Sequence, residues 1–138
     1  MRIREAVRAI VVRGDVVLLI RHCDDVNWNL PGGGVDEGES TEQTVARELS
    51  EELSLSEEDY ELLHVGLTCE YRHETSDAGW DGQNNLLVVV SLSEDADVVV
   101  DGDEVAEYCF GSLDLMVYED LREVARRTLT QAKDLGFL

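Results

Sequence analysis

The hexapeptide Arg47-Glu48-Leu49-Ser50-Glu51-Glu52 is the chain's densest group of side chains able to do chemistry. On a helix, at about 100° per residue, Glu48, Glu51 and Glu52 fall within roughly a third of a turn of one another. Val45, Ala46, Leu49 and Leu53 then share an adjoining apolar face. Three carboxylates on one face repel. Either a cation sits there, or the helix is a solvated acidic one in an acidic protein. A hard divalent ion such as Mg2+ takes oxygen ligands and is commonly shared between carboxylates and substrate phosphates. An arginine beside such a cluster can grip a carboxylate bidentately and hold its rotamer, so Arg47 reads both as a salt bridge and as a positioning group.

The surroundings sharpen the reading. Gly33, five residues, Glu39, seven residues, then Arg47-Glu48-Leu49-x-Glu51-Glu52-x-Ser54-Leu55 resembles the signature of the Nudix hydrolases, and the likeness extends upstream through Trp28-x-Leu30-Pro31-Gly32. One position departs from it: Ser54 stands where the signature has a glycine just past the helix, which leaves the path from Leu53 to Leu55 open. The resemblance implies an α+β fold, an α/β/α sandwich with a mixed central β-sheet. It implies a metal-dependent pyrophosphohydrolase that cleaves a nucleoside diphosphate linked to another moiety. Glu48, Glu51 and Glu52 would bind Mg2+ or Mn2+ with the backbone carbonyl near Gly32. Glu48, Arg47 and Glu52 would be the catalytic set, Glu48 serving as the water-activating base and Arg47 orienting the carboxylates. Glu39 would support the loop and Arg47, or touch metal, and Glu104 or Glu107 would be the extra carboxylate that family members often supply beyond the box.

Substrate contacts follow less directly. Tyr71 lies 71 − 55 = 16 residues beyond the box, and with Gly82-Gln83 it resembles the mark of dinucleoside polyphosphate hydrolases. ADP-ribose, (deoxy)nucleoside triphosphates and capped RNA ends are the alternatives, as is a non-catalytic nucleotide-sensing module of the same fold. Arg21 and Arg72 could neutralise phosphate or form ordinary surface ion pairs, and Trp28 could stack a base or pack under the loop. His22, His64 and His73 are isolated and are not read as metal ligands. A purely structural acidic domain would leave the glycine and Arg47 spacing unexplained.

These groups need elements to position them. Ala6 to Arg13 and Val16 to His22 read as a hairpin about Gly14-Asp15. Asn27 to Gly34 reads as a breaker-rich loop, in which Gly32, Gly33 and Gly38 set turn geometry or approach a ligand. Ser40 with Gln43 forms a capping box opening a helix that ends near Leu53. Leu62 to Tyr71 and Leu86 to Leu92 read as strands flanking a polar loop, His73 to Gln83. Val105 to Phe110 reads as a short strand, and Tyr118 to Leu135 has helical spacing.

Composition bounds the rest. The chain has 138 residues, 11 Lys+Arg and 31 Asp+Glu, a formal charge of −20. That length suits a single domain over 1–138, and 43% hydrophobic residues exclude a disordered chain. The charge repels duplex nucleic acid and anionic membranes, leaving a small nucleotide as the partner of a monomer or homodimer. No apolar run approaches a membrane span and MRIREAV lacks a signal-peptide core, so the expectation is a cytoplasmic protein. Cys23, Cys69 and Cys109 are expected to be reduced and buried. One lysine and acids spread along the chain suggest a halophilic adaptation, because molar salt shortens the Debye length to about 3 Å.

Overall fold

The computed structural model describes residues 3–77, 80–112, 121–134 and 136, the backbone alone for 64–77, 80–81, 123–124 and 131. Strand β1 (Ile3–Arg13) turns at Gly14-Asp15 into β2 (Val16–His22), the expected hairpin. Strand β3 (Gly32–Gly34) and helix α1 (Thr41–Leu53) follow, then a 3-10 turn at Glu57–Asp59, strands β4 (Tyr60–Asp77), β5 (Trp80–Leu92) and β6 (Val105–Ser112), and helix α2 (Glu123–Asp134). The sheet runs β4-β5-β1-β2-β6, with β3 paired to β1 off that path. It is mixed, because β1 and β5 are parallel while the other pairs are antiparallel.

Alternation along the strands builds a core on each face. Val7, Ala9, Val11, Leu18, Ile20, Val88 and Val90 meet Val45, Leu49 and Leu53 of α1, whereas Ile10, Val17, Leu19 and Leu30 meet Leu121, Ala125, Leu129 and Ala132 on the α2 side. Each fully buried Val or Leu contributes about 1.5–3 kcal/mol of transfer free energy. The result is the expected α+β arrangement, a mixed sheet between helices. No helix among the described residues is long and apolar enough to cross a membrane.

Four expectations are corrected. Gly32–Gly34 is a strand, because β1 and β2 diverge and the glycines fill the gap beside Ala6, Val7 and Arg8. The polar segment His73 to Gln83 is mostly strand, since β4 and β5 extend as one hairpin with Asp77 opposite Trp80. Helix α2 begins at Glu123 because Leu121 bridges Trp28 and the Arg122 N–H donates to the Trp28 carbonyl, which holds that pair out of the helix. Residues 118–120 lie outside the described ones. Cys23 is exposed rather than buried, and the Cys69 side chain is also outside the description.

Ser40 caps α1 as expected, with Gln43 returning the bond to complete the box. At the other end Ser54 is left-handed, φ 59° and ψ 32°, the one non-glycine with positive φ among the described residues. The serine thus adopts the glycine's conformation. Ser54→Gly is expected to raise stability by about 0.5–1 kcal/mol, the left-handed penalty relieved less the extra freedom of an unfolded glycine. A rise in the denaturant midpoint checks this, and an unchanged or lower midpoint would mean the serine carries no strain.

Salt is a second lever. With 31 acidic residues in 138, the thermal midpoint should rise as potassium chloride goes from dilute to molar and self-repulsion is screened. A flat or falling midpoint across that range would separate the acidity from salt tolerance.

Candidate functional site

Helix α1 presents its acidic residues to the glycine strand through one organising cation. Arg47 donates from Nε and Nη2 to Glu39 (2.8 and 3.0 Å), from Nη2 to the Gly34 carbonyl (2.9 Å) and from Nη1 to Glu48 Oε1 (2.9 Å). Nη1 also reaches Glu51 at 3.4 Å. Glu39 is tied down further by the Asp36 N–H and the Thr44 hydroxyl. The Arg47 hydrogen bonds hold the Glu39 carboxyl far below the usual range, at about 2, and Glu39 in turn raises the Arg47 pKa. Loop, glycine strand and helix are joined at this guanidinium.

Glu48 and Glu52, one turn apart, lie against β3. Neither is solvated as an open acidic face would be: Glu48 is 8% and Glu52 only 2% exposed, while Glu51 is exposed. Glu52 Oε1 accepts from the Gly32 N–H at 2.8 Å, but its buried Oε2 has no hydrogen-bond partner and faces His22 Nε2 at 3.7 Å. Burial pushes the Glu52 pKa up to about 8, Glu48 and Glu104 adding repulsion, against the Gly32 N–H and Arg8, which lower it. Burial also raises Glu48, with Arg47 opposing and Glu51 and Glu104 reinforcing. A Cβ at Gly33 would stand 2.6 Å from Glu48 Cδ, so this position has no room for a side chain.

Four carboxylates therefore act on one another here, and one buried oxygen is unsatisfied. Burying charge without a partner is costly, and the donor set is all oxygen. A hard divalent ion fits that chemistry. Among the described residues no three His, Cys, Asp or Glu side chains are already drawn in tightly enough to cage one. Arg47 holds Glu48 and Glu51 on one side and the Gly32 N–H holds Glu52 on the other.

The remaining candidates are spread around this centre. Glu104 is exposed but within electrostatic reach of Glu48 and Glu52. Glu107 instead accepts from Arg21 Nε at 2.7 Å, and Arg21 also bonds the Asp25 carbonyl. Trp28 packs against the α2-side core. Tyr71 and Arg72 lie on β4 opposite Gln83 and Gly82, and their side chains are outside the described residues. His22, read as isolated, stands beside Glu52, and one group escaped sequence reasoning, Arg8, which lies on β1 opposite Gly32. For Arg8 a signal existed: a cation inside an apolar, β-branched run.

Comparison with known proteins places this geometry. The profile described as NUDIX domain matches residues 2–132. The RNA pyrophosphohydrolase of Haemophilus influenzae (strain PittEE) is 43% identical over 49 residues, 36% of this chain and 25% of that protein. That of Pseudoalteromonas translucida is 54% identical over 37 residues, 27% of this chain and 22% of the relative. The matched segment thus spans about a quarter of those relatives' length. Among solved structures, a MutT NUDIX hydrolase from Burkholderia pseudomallei superposes with TM-score 0.67 at 28% identity, covering 95% of this chain and 98% of that one. A C. elegans Ap4A hydrolase binary complex gives TM-score 0.77 at 19% identity, with 96% and 97% covered. The NUDIX domain of Shewanella oneidensis NrtR, complexed with ADP ribose, gives 0.73 at 22%, with 98% and 89% covered. At such identities the last two speak for the fold alone.

Proposed function

Because the chain belongs to the Nudix family, we propose that it is a divalent-metal-dependent pyrophosphohydrolase acting on a nucleoside 5′-polyphosphate, with a dinucleoside polyphosphate as the leading substrate. The observation that carries the reading is the unsatisfied, buried Glu52 Oε2 beside Glu48 and within the field of Glu104. Glu48, Glu51 and Glu52, with the backbone near Gly32, would hold Mg2+ or Mn2+. When bound, the ion neutralises the diphosphate and lowers the pKa of water. The protein's part is to hold the carboxylates in register through Arg47 and Gly32, and to accept the water's proton. Glu48 is assigned that proton: Arg47 engages its Oε1, and its Oε2 makes no hydrogen bond with any described residue. Attack at phosphorus in line with the leaving phosphate completes the reaction.

The charge balance agrees with a need for metal. A −20 chain repels a polyanion unless its site is locally recharged. Tyr71 and Gly82-Gln83 support the dinucleoside class by resemblance. A 5′-triphosphorylated RNA end is the second reading, favoured by the local likeness to RNA pyrophosphohydrolases, and it offers the same polyphosphate to the site. Turnover with Mg2+ of diadenosine tetraphosphate, ADP-ribose, a nucleoside triphosphate and triphosphorylated RNA decides between them. Preference for the tetraphosphate supports the leading reading, whereas no turnover of any of the four rejects the activity.

A further inference from the structure

Arg4 and Arg8 stand four residues apart on β1 and so project from the same face of it, opposite to the face that meets α1. Beside them runs β3, with Gly34 opposite Ala6 and Gly32 opposite Arg8. A Cβ at Gly34 would stand 2.6 Å from Arg4 Nε, so the Arg4 guanidinium lies directly on the Gly34 backbone.

Among the described residues neither arginine has a counter-ion bonded to it. Arg4 makes no hydrogen bond or ion pair with any described residue. Arg8 has one long bond, Nη1 to the Leu30 carbonyl at 3.4 Å, and its buried Nε has no acceptor. In a chain of 31 acids and 11 bases this is unexpected. Arg21, Arg47 and Arg122 each hold a carboxylate within 2.8 Å. Two guanidiniums on one face repel each other, and a buried N–H without an acceptor is costly, so an anion supplying acceptors to both would stabilise the arrangement. Glu52 and Glu48 attract Arg8 without bonding it, which puts Arg8 within electrostatic reach of the carboxylate site, and Arg4 repels it from the same strand face.

We propose that Arg4 and Arg8, beside the glycine strand, form a clamp for a substrate phosphate beyond the cleaved diphosphate, and so select for the length of the polyphosphate chain. The inference rests on the pyrophosphohydrolase reading and adds its specificity device. The guanidinium fork matches phosphate oxygens in pairs.

The test uses the whole chain in two arms. Calorimetry with inorganic tripolyphosphate, in chelator so that no divalent ion contributes, should show binding that weakens about tenfold in Arg4→Gln and in Arg8→Gln, and is lost in the double variant. In steady state with Mg2+, the same variants should raise KM for diadenosine tetraphosphate about tenfold, leaving kcat and the KM for ADP-ribose little changed. Arg8→Lys keeps charge without the fork and should fall between, which also serves if Arg8→Gln unfolds in a thermal melt. Equal tripolyphosphate binding by wild type and double variant, or none by wild type, overturns the clamp. So does a KM that rises equally for both substrates. The binding arm needs no turnover, so a clamp that binds in an inactive protein would reject the activity and keep the clamp.

Discussion

Glu52→Gln is expected to lower Mg2+-dependent turnover about 10³-fold, equivalent to roughly 4 kcal/mol of transition-state stabilisation, while the chain stays folded. The side chain is 2% exposed, so an arbitrary substitution would unfold this corner of the core. Glutamine is the discriminating choice because its carbonyl can still accept the Gly32 N–H that Glu52 Oε1 accepts at 2.8 Å. What disappears is charge at Oε2, the oxygen that accepts no hydrogen bond. The pH dependence in chelator gives an independent readout. Glu52 is raised from 4.5 to about 8 by burial first, then by Glu48 and Glu104, with Gly32 N–H and Arg8 opposing. His22 faces it from β2. Between those pH values the folded state holds a proton that the unfolded state has released, so stability falls as pH rises through the window. Wild type should therefore lose stability on the order of a few kcal/mol from pH 5 to 8, at about 1.4 kcal/mol per unit of pKa difference. Glu52→Gln should flatten that slope, and saturating Mg2+ should flatten it in wild type by binding the ionised folded state. Near-normal turnover of the variant at saturating Mg2+ would remove Glu52 from the site.

How much of this was legible follows from where the information lies. The capping box, the apolar stripe of Val45, Leu49 and Leu53 and the Glu48, Glu51, Glu52 cluster are separated by helical spacing, so the helix and its acidic face could be read locally. That Glu48 and Glu52 are buried could not, because a helical period orders faces without saying what lies against them. Strand β3 was hidden for a similar reason. Three glycines carry no alternation, and their pairing with Ala6, Val7 and Arg8 is decided by backbone bonds across 24 to 28 residues of chain. The long β4–β5 hairpin was missed where polar residues from His73 to Gln83 imitate a loop. Arg4 and Arg8 share a strand face at i and i+4, a pattern visible in the sequence but without meaning until the glycines opposite them are known.

Arg47 is where both kinds of information meet, and its replacement should be nearly as damaging as that of a metal-binding carboxylate. Its guanidinium satisfies Glu39 twice, Glu48 and the Gly34 carbonyl, all within 3.0 Å. Arg47→Ala leaves two carboxylates and a carbonyl without that donor. With its side chain 27% exposed, water replaces part of the loss, so the cost in stability should be about 2 kcal/mol, below the 3–5 of a fully buried pair. The larger effect is on position. Glu48 loses the bond that fixes its Oε1, and Mg2+ affinity and kcat should each fall about 10- to 100-fold. Arg47→Lys separates charge from geometry, because an ammonium cannot span Glu39, Glu48 and Gly34 as five planar N–H donors do. It should recover stability better than kcat. Glu39 supplies a signature that a general loss of structure would not. Arg47 holds it at about 2, so its contribution to stability is present above the unfolded value of 4.5 and is lost as pH falls from there toward 2. In Arg47→Ala the Glu39 carboxyl should titrate closer to the ordinary range by NMR, held below it only by the Asp36 N–H and the Thr44 hydroxyl, and the acid unfolding limb should shrink accordingly. Wild-type kcat and Mg2+ affinity in Arg47→Ala would reduce the residue to a surface ion pair, with the carboxylates held by burial and the Gly32 N–H alone.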